Sequence, residues 1–118
     1  MNSKVLAYLG DAVYELKIRE KLINSSIAKV DDMQTKSLLY VSAKSQRKHL
    51  EMLISENFLT EDEISEFKRG RNSNIKKHKS SDIITYKIAT GFEALIGYLY
   101  INKNYQRIDE IIEKIVGE

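Results

Sequence analysis

The chain has 118 residues, of which 42% are apolar and 31% charged, with a formal net charge of +2. This composition is typical of one globular domain and argues against global disorder. Because there is no cysteine, disulfides and thiolate metal sites are excluded. With no signal-peptide pattern and no apolar run near the roughly 20 residues of a membrane span, we expect a cytoplasmic protein outside the membrane.

Helical periodicity extends over nearly the whole chain, and no alternating run predicts a strand. Predicted helices cover residues 4–23, 31–40, 42–57, 60–69 and 82–101, with a last amphipathic helix after Asn104. The fourth begins with the capping-box pattern TEDE, and Gly70 is predicted to follow its end. Asp82 is the predicted cap of the fifth, after a polar loop over 71–82. The predicted class is all-α with about six helices.

The first predicted helix is apolar on two sides. One stripe contains Val5, Leu9, Ala12, Val13 and Leu16, and the other contains Ala7, Asp11, Tyr14, Ile18 and Leu22. A helix that is apolar on more than one side is either central or in contact with a second subunit. We predict that the second stripe forms a symmetric homodimer interface, with packing inside the monomer as the alternative.

Positive charge is concentrated in two stretches that contain no acid. Six lysines and arginines lie between Phe67 and Ser81, and four more lie between Gln34 and Leu50. Clustered cations of this kind favour a polyanionic partner, although an unevenly charged solvated surface is the alternative.

Two acids lie in apolar helical sequence. Asp11 follows Gly10 in the first helix, and Glu93 lies between Ala89 and Ile96 in the most apolar helix. A buried carboxylate must be paired, protonated or bound to a cation, because burying it alone costs several kcal/mol. A cation site and a structural pair with a lysine or arginine are both consistent with this pattern.

Sequence stretches around these acids resemble a known family. The runs YLGDAVYE (8–15) and FEALIGYLY (92–100) resemble the two halves of the ribonuclease III catalytic signature. Together with YVSAKSQ (40–46), FKRGRNS (67–73) and TYKIATG (85–91), they are similar to the Mini-ribonuclease III family, which lacks a double-stranded-RNA-binding domain.

The resemblance implies a single ribonuclease III-type endonuclease domain over residues 1–118 that acts as a homodimer. It implies Mg²⁺-dependent cleavage of double-stranded RNA, giving 5′-phosphate ends, and maturation of the ends of 23S ribosomal RNA precursor. Asp11 and Glu93 take the positions of catalytic metal ligands. Three further positions that are acidic in longer ribonuclease III enzymes hold Lys4, Ala7 and Thr90 here. Glu15, one turn after Asp11, is a candidate helper, with an ordinary surface glutamate as the alternative.

Mg²⁺ prefers oxygen ligands and keeps several waters, so one or two carboxylates are enough to hold it. Gly10 would allow the two helices to approach at such a site. Duplex RNA is contacted through phosphates and 2′-hydroxyls. The candidate RNA-binding residues are Lys44, Gln46, Arg69, Arg71, Asn72, Lys76 and Lys77. Two alternatives remain open, which are a double-stranded-RNA-binding module that does not cut and a helical protein-interaction domain.

Overall fold

The structure is a computed structural model that describes residues 1–25, 29–73 and 82–117. Within these ranges the chain forms six helices and no strand. They are α1 (Ser3–Ile23), α2 (Val30–Val41), α3 (Ala43–Ser55), α4 (Glu61–Arg71), α5 (Ile83–Ile101) and α6 (Tyr105–Val116). The predicted all-α class is confirmed, as is the order of the elements. No helix in the described ranges has the length and apolarity that a membrane span requires.

Helix α5 lies at the centre of the fold and packs against α1, α3, α4 and α6. Its side chains are buried on several sides, in agreement with its nearly uninterrupted apolar sequence. The core around it includes Tyr14 of α1 and Phe92 of α5, whose rings meet edge to face at 5.0 Å between centroids. Helix α2, by contrast, has no buried residue.

The ends of the helices follow the predicted capping chemistry. Thr60 and Glu63 form the reciprocal capping box at the start of α4. The Asp82 side chain accepts a hydrogen bond from the backbone N–H of Thr85 at the start of α5.

The prediction for Gly70 is wrong, because this glycine is buried inside α4 and the helix is capped by Asn72. A Cβ atom on Gly70 would lie 2.5 Å from the Cβ of Ala94, so the glycine permits the approach of α4 to α5.

Candidate active site

Asp11 and Glu93, which are 82 positions apart in the sequence, lie side by side. Asp11 is exposed on α1, and Glu93 is half-buried on α5. Both line an open cavity of about 290 Å³, together with Lys4, Ala7, Tyr8, Tyr86 and Thr90. The two helices thus bring together the two acids that the sequence singled out, at a place that solvent and a ligand reach.

Two glycines make this arrangement possible. A Cβ atom on Gly10 would lie 1.7 Å from the carbonyl oxygen of Glu93, and one on Gly97 would lie 1.9 Å from the carbonyl oxygen of Leu6. No side chain fits at either distance, so the backbones of α1 and α5 are in direct contact. The proposed reason for a glycine beside Asp11, close helix approach, agrees with this geometry.

The environment of Glu93 raises the pKa of its carboxyl group to about 8, from an ordinary value of 4.5. Burial is the largest cause, and the negative charge of Asp11 acts in the same direction. A hydrogen bond from Gln46 opposes both effects because it favours the ionised form. Two adjacent carboxyl groups of which one resists ionisation are characteristic of a site that binds a cation in competition with a proton.

Gln46 is buried, whereas its predicted role in RNA binding requires a position at the surface. Its side chain is only 2% exposed, so it does not reach a ligand on the surface. Its Nε2 atom donates to Glu93 Oε2 at 3.2 Å and to the carbonyl oxygen of Val41 at 3.0 Å. The prediction that Gln46 binds RNA is therefore wrong, and Gln46 instead contacts Glu93 of the acidic site. The sequence offered no signal for this, because a polar residue in the first turn of α3 reads as exposed.

The donor set fits a hard divalent cation. Two carboxylates face an open cavity that solvent and a hydrated ion can enter. Across the described ranges, no group of three or more histidine, cysteine, aspartate or glutamate side chains is arranged to hold a metal. Two carboxylates are sufficient to hold Mg²⁺, because this ion retains most of its water ligands. A cation coordinated by protein atoms alone would need more ligands.

Lys4, Ala7 and Thr90, the positions that depart from the longer enzymes, all line the cavity. Lys4 is exposed and Ala7 is buried, while Thr90 Oγ1 donates to the carbonyl oxygen of Tyr86 at 2.9 Å. Glu15, the candidate helper, accepts a hydrogen bond from Arg19 at 3.0 Å and is not part of the cavity lining. This contact supports the surface alternative for Glu15.

Tyr86 was not among the predicted site residues, although it lines the acidic cavity. It precedes Thr90 by four residues and Glu93 by seven, which is the spacing of one helix face. This spacing is the signal that would have identified it.

Lys44 lies in a second cavity of about 730 Å³, which is also lined by Arg47, Lys48 and Tyr86. Because Tyr86 borders both cavities, the cationic side chains at the start of α3 are adjacent to the acidic site. Arg47 also donates to Thr85 Oγ1 at 2.8 Å, which ties α3 to the start of α5. Exposed Lys44 is thus available to a ligand that extends from the acidic cavity.

Arg69, Arg71 and Asn72 lie at the end of α4. Arg69 donates to the carbonyl oxygen of Met1 at 2.7 Å and to Glu66 at 2.9 Å, so it ties α4 to the start of the chain. Arg71 donates to Asn72 Oδ1 at 3.0 Å and lies over the ring of Phe67. The predicted RNA-binding residues Lys76 and Lys77 lie outside the described residues.

For the two apolar sides of α1, the structure agrees with the alternative, in which the second stripe packs inside the monomer. Ala7, Tyr14, Ile18 and Leu22 are buried inside the monomer, so the side predicted to form the dimer interface is the internal one. The exposed stripe consists instead of Val5 (52% exposed), Tyr8 (85%) and Leu16 (55%). The reason is the glycine contact, which turns the side that carries Gly10 toward α5.

Comparison with known proteins agrees with this fold. The family model "Ribonuclease III domain" matches residues 4–104. Among solved structures, a crystal structure of a protein from Fusobacterium nucleatum is similar at a TM-score of 0.84 and 29% identity, over 99% of this chain and 93% of that one. The fold is therefore that of a ribonuclease III domain.

Curated relatives narrow the class further. A Mini-ribonuclease 3 from Streptococcus pneumoniae is 40% identical over 99% of this chain and 95% of its own length. A Mini-ribonuclease 3 from Acholeplasma laidlawii is 45% identical over 86% of this chain and 81% of its own length. The chain belongs to the Mini-ribonuclease 3 family and is an endoribonuclease of the ribonuclease III type.

Proposed function

We propose that the protein is a Mg²⁺-dependent endonuclease that cuts double-stranded RNA and matures the 5′ and 3′ ends of 23S ribosomal RNA precursor in the cytoplasm. The observation that carries this proposal is the contact between Asp11 and Glu93 at an open cavity. We also propose that residues 1–118 form one catalytic domain.

The reaction is phosphodiester hydrolysis. A water oxygen attacks phosphorus, the bond from phosphorus to the 3′ oxygen breaks, and the products are a 5′-phosphate and a 3′-hydroxyl. Asp11 and Glu93 would hold Mg²⁺, which stabilises the developing negative charge and lowers the pKa of a water molecule when it is bound. Exposed Asp11 makes the site accessible, while the hydrogen bond from Gln46 restrains the carboxylate of Glu93.

The cationic residues near the cavity support the binding of a duplex. Lys44 borders the cavity that adjoins the acidic site, and the end of α4 adds Arg69, Arg71 and Asn72. Duplex RNA presents its phosphates and 2′-hydroxyls to such a surface, with little sequence information. Lys76 and Lys77 are retained in this proposal on the basis of the sequence alone.

We propose that the active form is a homodimer. The exposed apolar stripe of Val5, Tyr8 and Leu16 runs along α1. A twofold axis at this stripe would match the pseudo-symmetry of a duplex and would supply one acidic site for each strand. Tyr8 supports this arrangement because it is both in the stripe and in the lining of the acidic cavity.

A cleavage assay on a duplex from 23S ribosomal RNA precursor, with and without Mg²⁺, tests the proposal. The wild type should cut only with the metal. Asp11→Asn should lose more cleavage activity than the roughly 10- to 100-fold that is typical when a group hydrogen-bonded to a metal ligand is removed. Asp32→Asn, the same change at an exposed position on α2, is the matched control and should cut normally. Equal rates for the two variants would show that the site is assigned wrongly.

The alternative, a module that binds duplex RNA without cutting it, is favoured by one observation. The cavity contains Lys4, Ala7 and Thr90 in place of further acids, so it has fewer ligands than the longer enzymes. Salt-dependent binding of the duplex without cleavage, at all Mg²⁺ and Mn²⁺ concentrations, would support this alternative.

A further inference from the structure

Gln46 makes an unusual pair of contacts for a buried amide. Its Nε2 atom uses both hydrogens, one on the carbonyl oxygen of Val41 at 3.0 Å and one on Glu93 Oε2 at 3.2 Å. Because a backbone carbonyl only accepts, the contact with Val41 determines which end of the amide is the nitrogen. The amide therefore presents a donor, and not an acceptor, to Glu93.

The cost of this arrangement is visible at the other end of the amide. Gln46 Oε1 is buried and has no hydrogen-bond partner among the described residues. A buried polar atom without a partner costs about 1–3 kcal/mol, whereas an apolar side chain of similar size would avoid that cost. The amide is thus placed to make its two donated hydrogen bonds, to Val41 and to Glu93, and not to satisfy its own oxygen.

We propose that Gln46 is a positioning residue that holds the carboxylate of Glu93 in the orientation that binds the catalytic cation. This inference rests on the proposed function. Glu93 cannot rotate without breaking the bond to Gln46, and Gln46 cannot rotate without breaking the bond to Val41. Val41 is the last residue of α2, so the end of that helix is connected through Gln46 to the acidic site. Outer contacts of this kind typically change metal affinity or activity 10- to 100-fold.

Metal binding to the protein alone is the measurement that separates positioning from general stability. Gln46→Met keeps the approximate size and removes the donor. Tyr14→Phe is the matched control, because the buried Tyr14 hydroxyl donates to the carbonyl oxygen of Tyr40 at 3.0 Å, one residue before Val41, and no contact with Glu93 is involved. Both variants lose buried hydrogen bonds to the end of α2, so both should unfold at a lower temperature than the wild type.

Free Mn²⁺, measured by electron paramagnetic resonance in a titration without RNA, gives the affinity. We expect Gln46→Met to bind Mn²⁺ at least about tenfold more weakly than Tyr14→Phe, which should bind like the wild type. Cleavage by Gln46→Met should recover as the metal concentration rises. Equal Mn²⁺ affinities for the two variants would overturn the role of Gln46 while leaving the proposed function intact. If the wild type and Asp11→Asn bind Mn²⁺ equally weakly, the proposed function fails as well.

A second measurement needs no variant. In the wild type, the side-chain amide resonances of Gln46 should shift when Mg²⁺ is added, because their acceptor Glu93 becomes a metal ligand. Resonances of Gln46 that stay unchanged while those of Asp11 shift would also overturn the proposal.

Discussion

The backbone of Gly10 touches the backbone of Glu93. A Cβ atom at position 10 would lie only 1.7 Å from the Glu93 carbonyl oxygen, so only glycine fits there. This contact joins the two acidic stretches of the sequence, because Asp11 follows Gly10 and both carboxyl groups lie at one cavity. The glycine in the middle of α1 thus determines both how the fold packs and where its two acids meet.

Gly10→Ala should destabilise the protein. In an ordinary helix this change gains about 1 kcal/mol of helix propensity. Here the methyl group would overlap the backbone of α5, so the helices must separate and we expect a loss of several kcal/mol, beyond the roughly 1–3 kcal/mol typical of an overpacked core. Thermal unfolding followed by circular dichroism measures this change. The opposite change at exposed Ala12, Ala12→Gly, is the control and should lower the free energy of unfolding by only about 1 kcal/mol. A Gly10→Ala protein that is more stable than the wild type would contradict the backbone contact.

The contribution of Glu93 to the stability of the metal-free protein should fall as the pH rises. The folded pKa of Glu93, about 8, lies above its ordinary value of 4.5. The stability that protonated Glu93 contributes is therefore fully present below pH 4.5 and is lost as the pH rises through about 8. In EDTA, Glu93→Gln should gain stability relative to the wild type between about pH 5 and about pH 9. For Glu61→Gln, a change at an exposed site, the difference in unfolding free energy from the wild type should not vary with pH. If the difference for Glu93→Gln does not vary with pH either, the raised pKa of Glu93 is refuted.

Removing Lys44 should weaken duplex binding in a salt-dependent way. Each lost phosphate contact reduces the slope of log affinity against log salt concentration by roughly one. We expect this loss for Lys44→Ala, measured by fluorescence anisotropy with an Asp11→Asn background to prevent cleavage. Lys21, which pairs with Glu113 of α6 and lines neither of the two adjoining cavities, provides the control Lys21→Ala. An equal slope for both variants would argue against RNA contact at Lys44.

A charge in the exposed stripe of α1 should separate the subunits of the proposed homodimer. Leu16→Glu places a carboxylate at a side chain that is 55% exposed in the monomer, where it should be harmless unless a partner covers it. Leu38→Glu makes the same change at a 60% exposed position on α2 and should leave the dimer intact. Sedimentation equilibrium distinguishes the outcomes, and a Leu16→Glu protein that remains a dimer would place the interface elsewhere.

Helix positions were predictable because they depend on local chemistry. The pattern at Thr60 and Glu63 predicts a reciprocal cap, and Asp82 predicts the start of α5, since both act within one turn. The pairing of Asp11 with Glu93 was suggested by the family resemblance, because the apolar sequence around Glu93 by itself favoured a structural ion pair with a lysine or arginine.

Tertiary choices were not predictable from periodicity. Helix α1 presents two apolar sides, and which one faces inward depends on the contact of Gly10 and Gly97 with the opposite backbones. Gln46 was misassigned for a related reason, because its burial depends on the arrangement of α3 against α5 and not on its own sequence neighbours. Gly70, similarly, reads as a helix end but is a contact point between α4 and α5.

Helix α2 has no fully buried residue, and Met33, Tyr40 and Val41 pack against the core while only half-buried. It should therefore open more readily than the central helix α5. Its backbone amides should therefore exchange with deuterium sooner than those of α5. The last two carbonyl groups of α2, however, hold Tyr14 and Gln46, and Gln46 holds Glu93. Local unfolding of α2 should thus release the carboxylate of Glu93, which lies on another helix. The fraction of molecules with an organised acidic site should then depend on the local stability of α2.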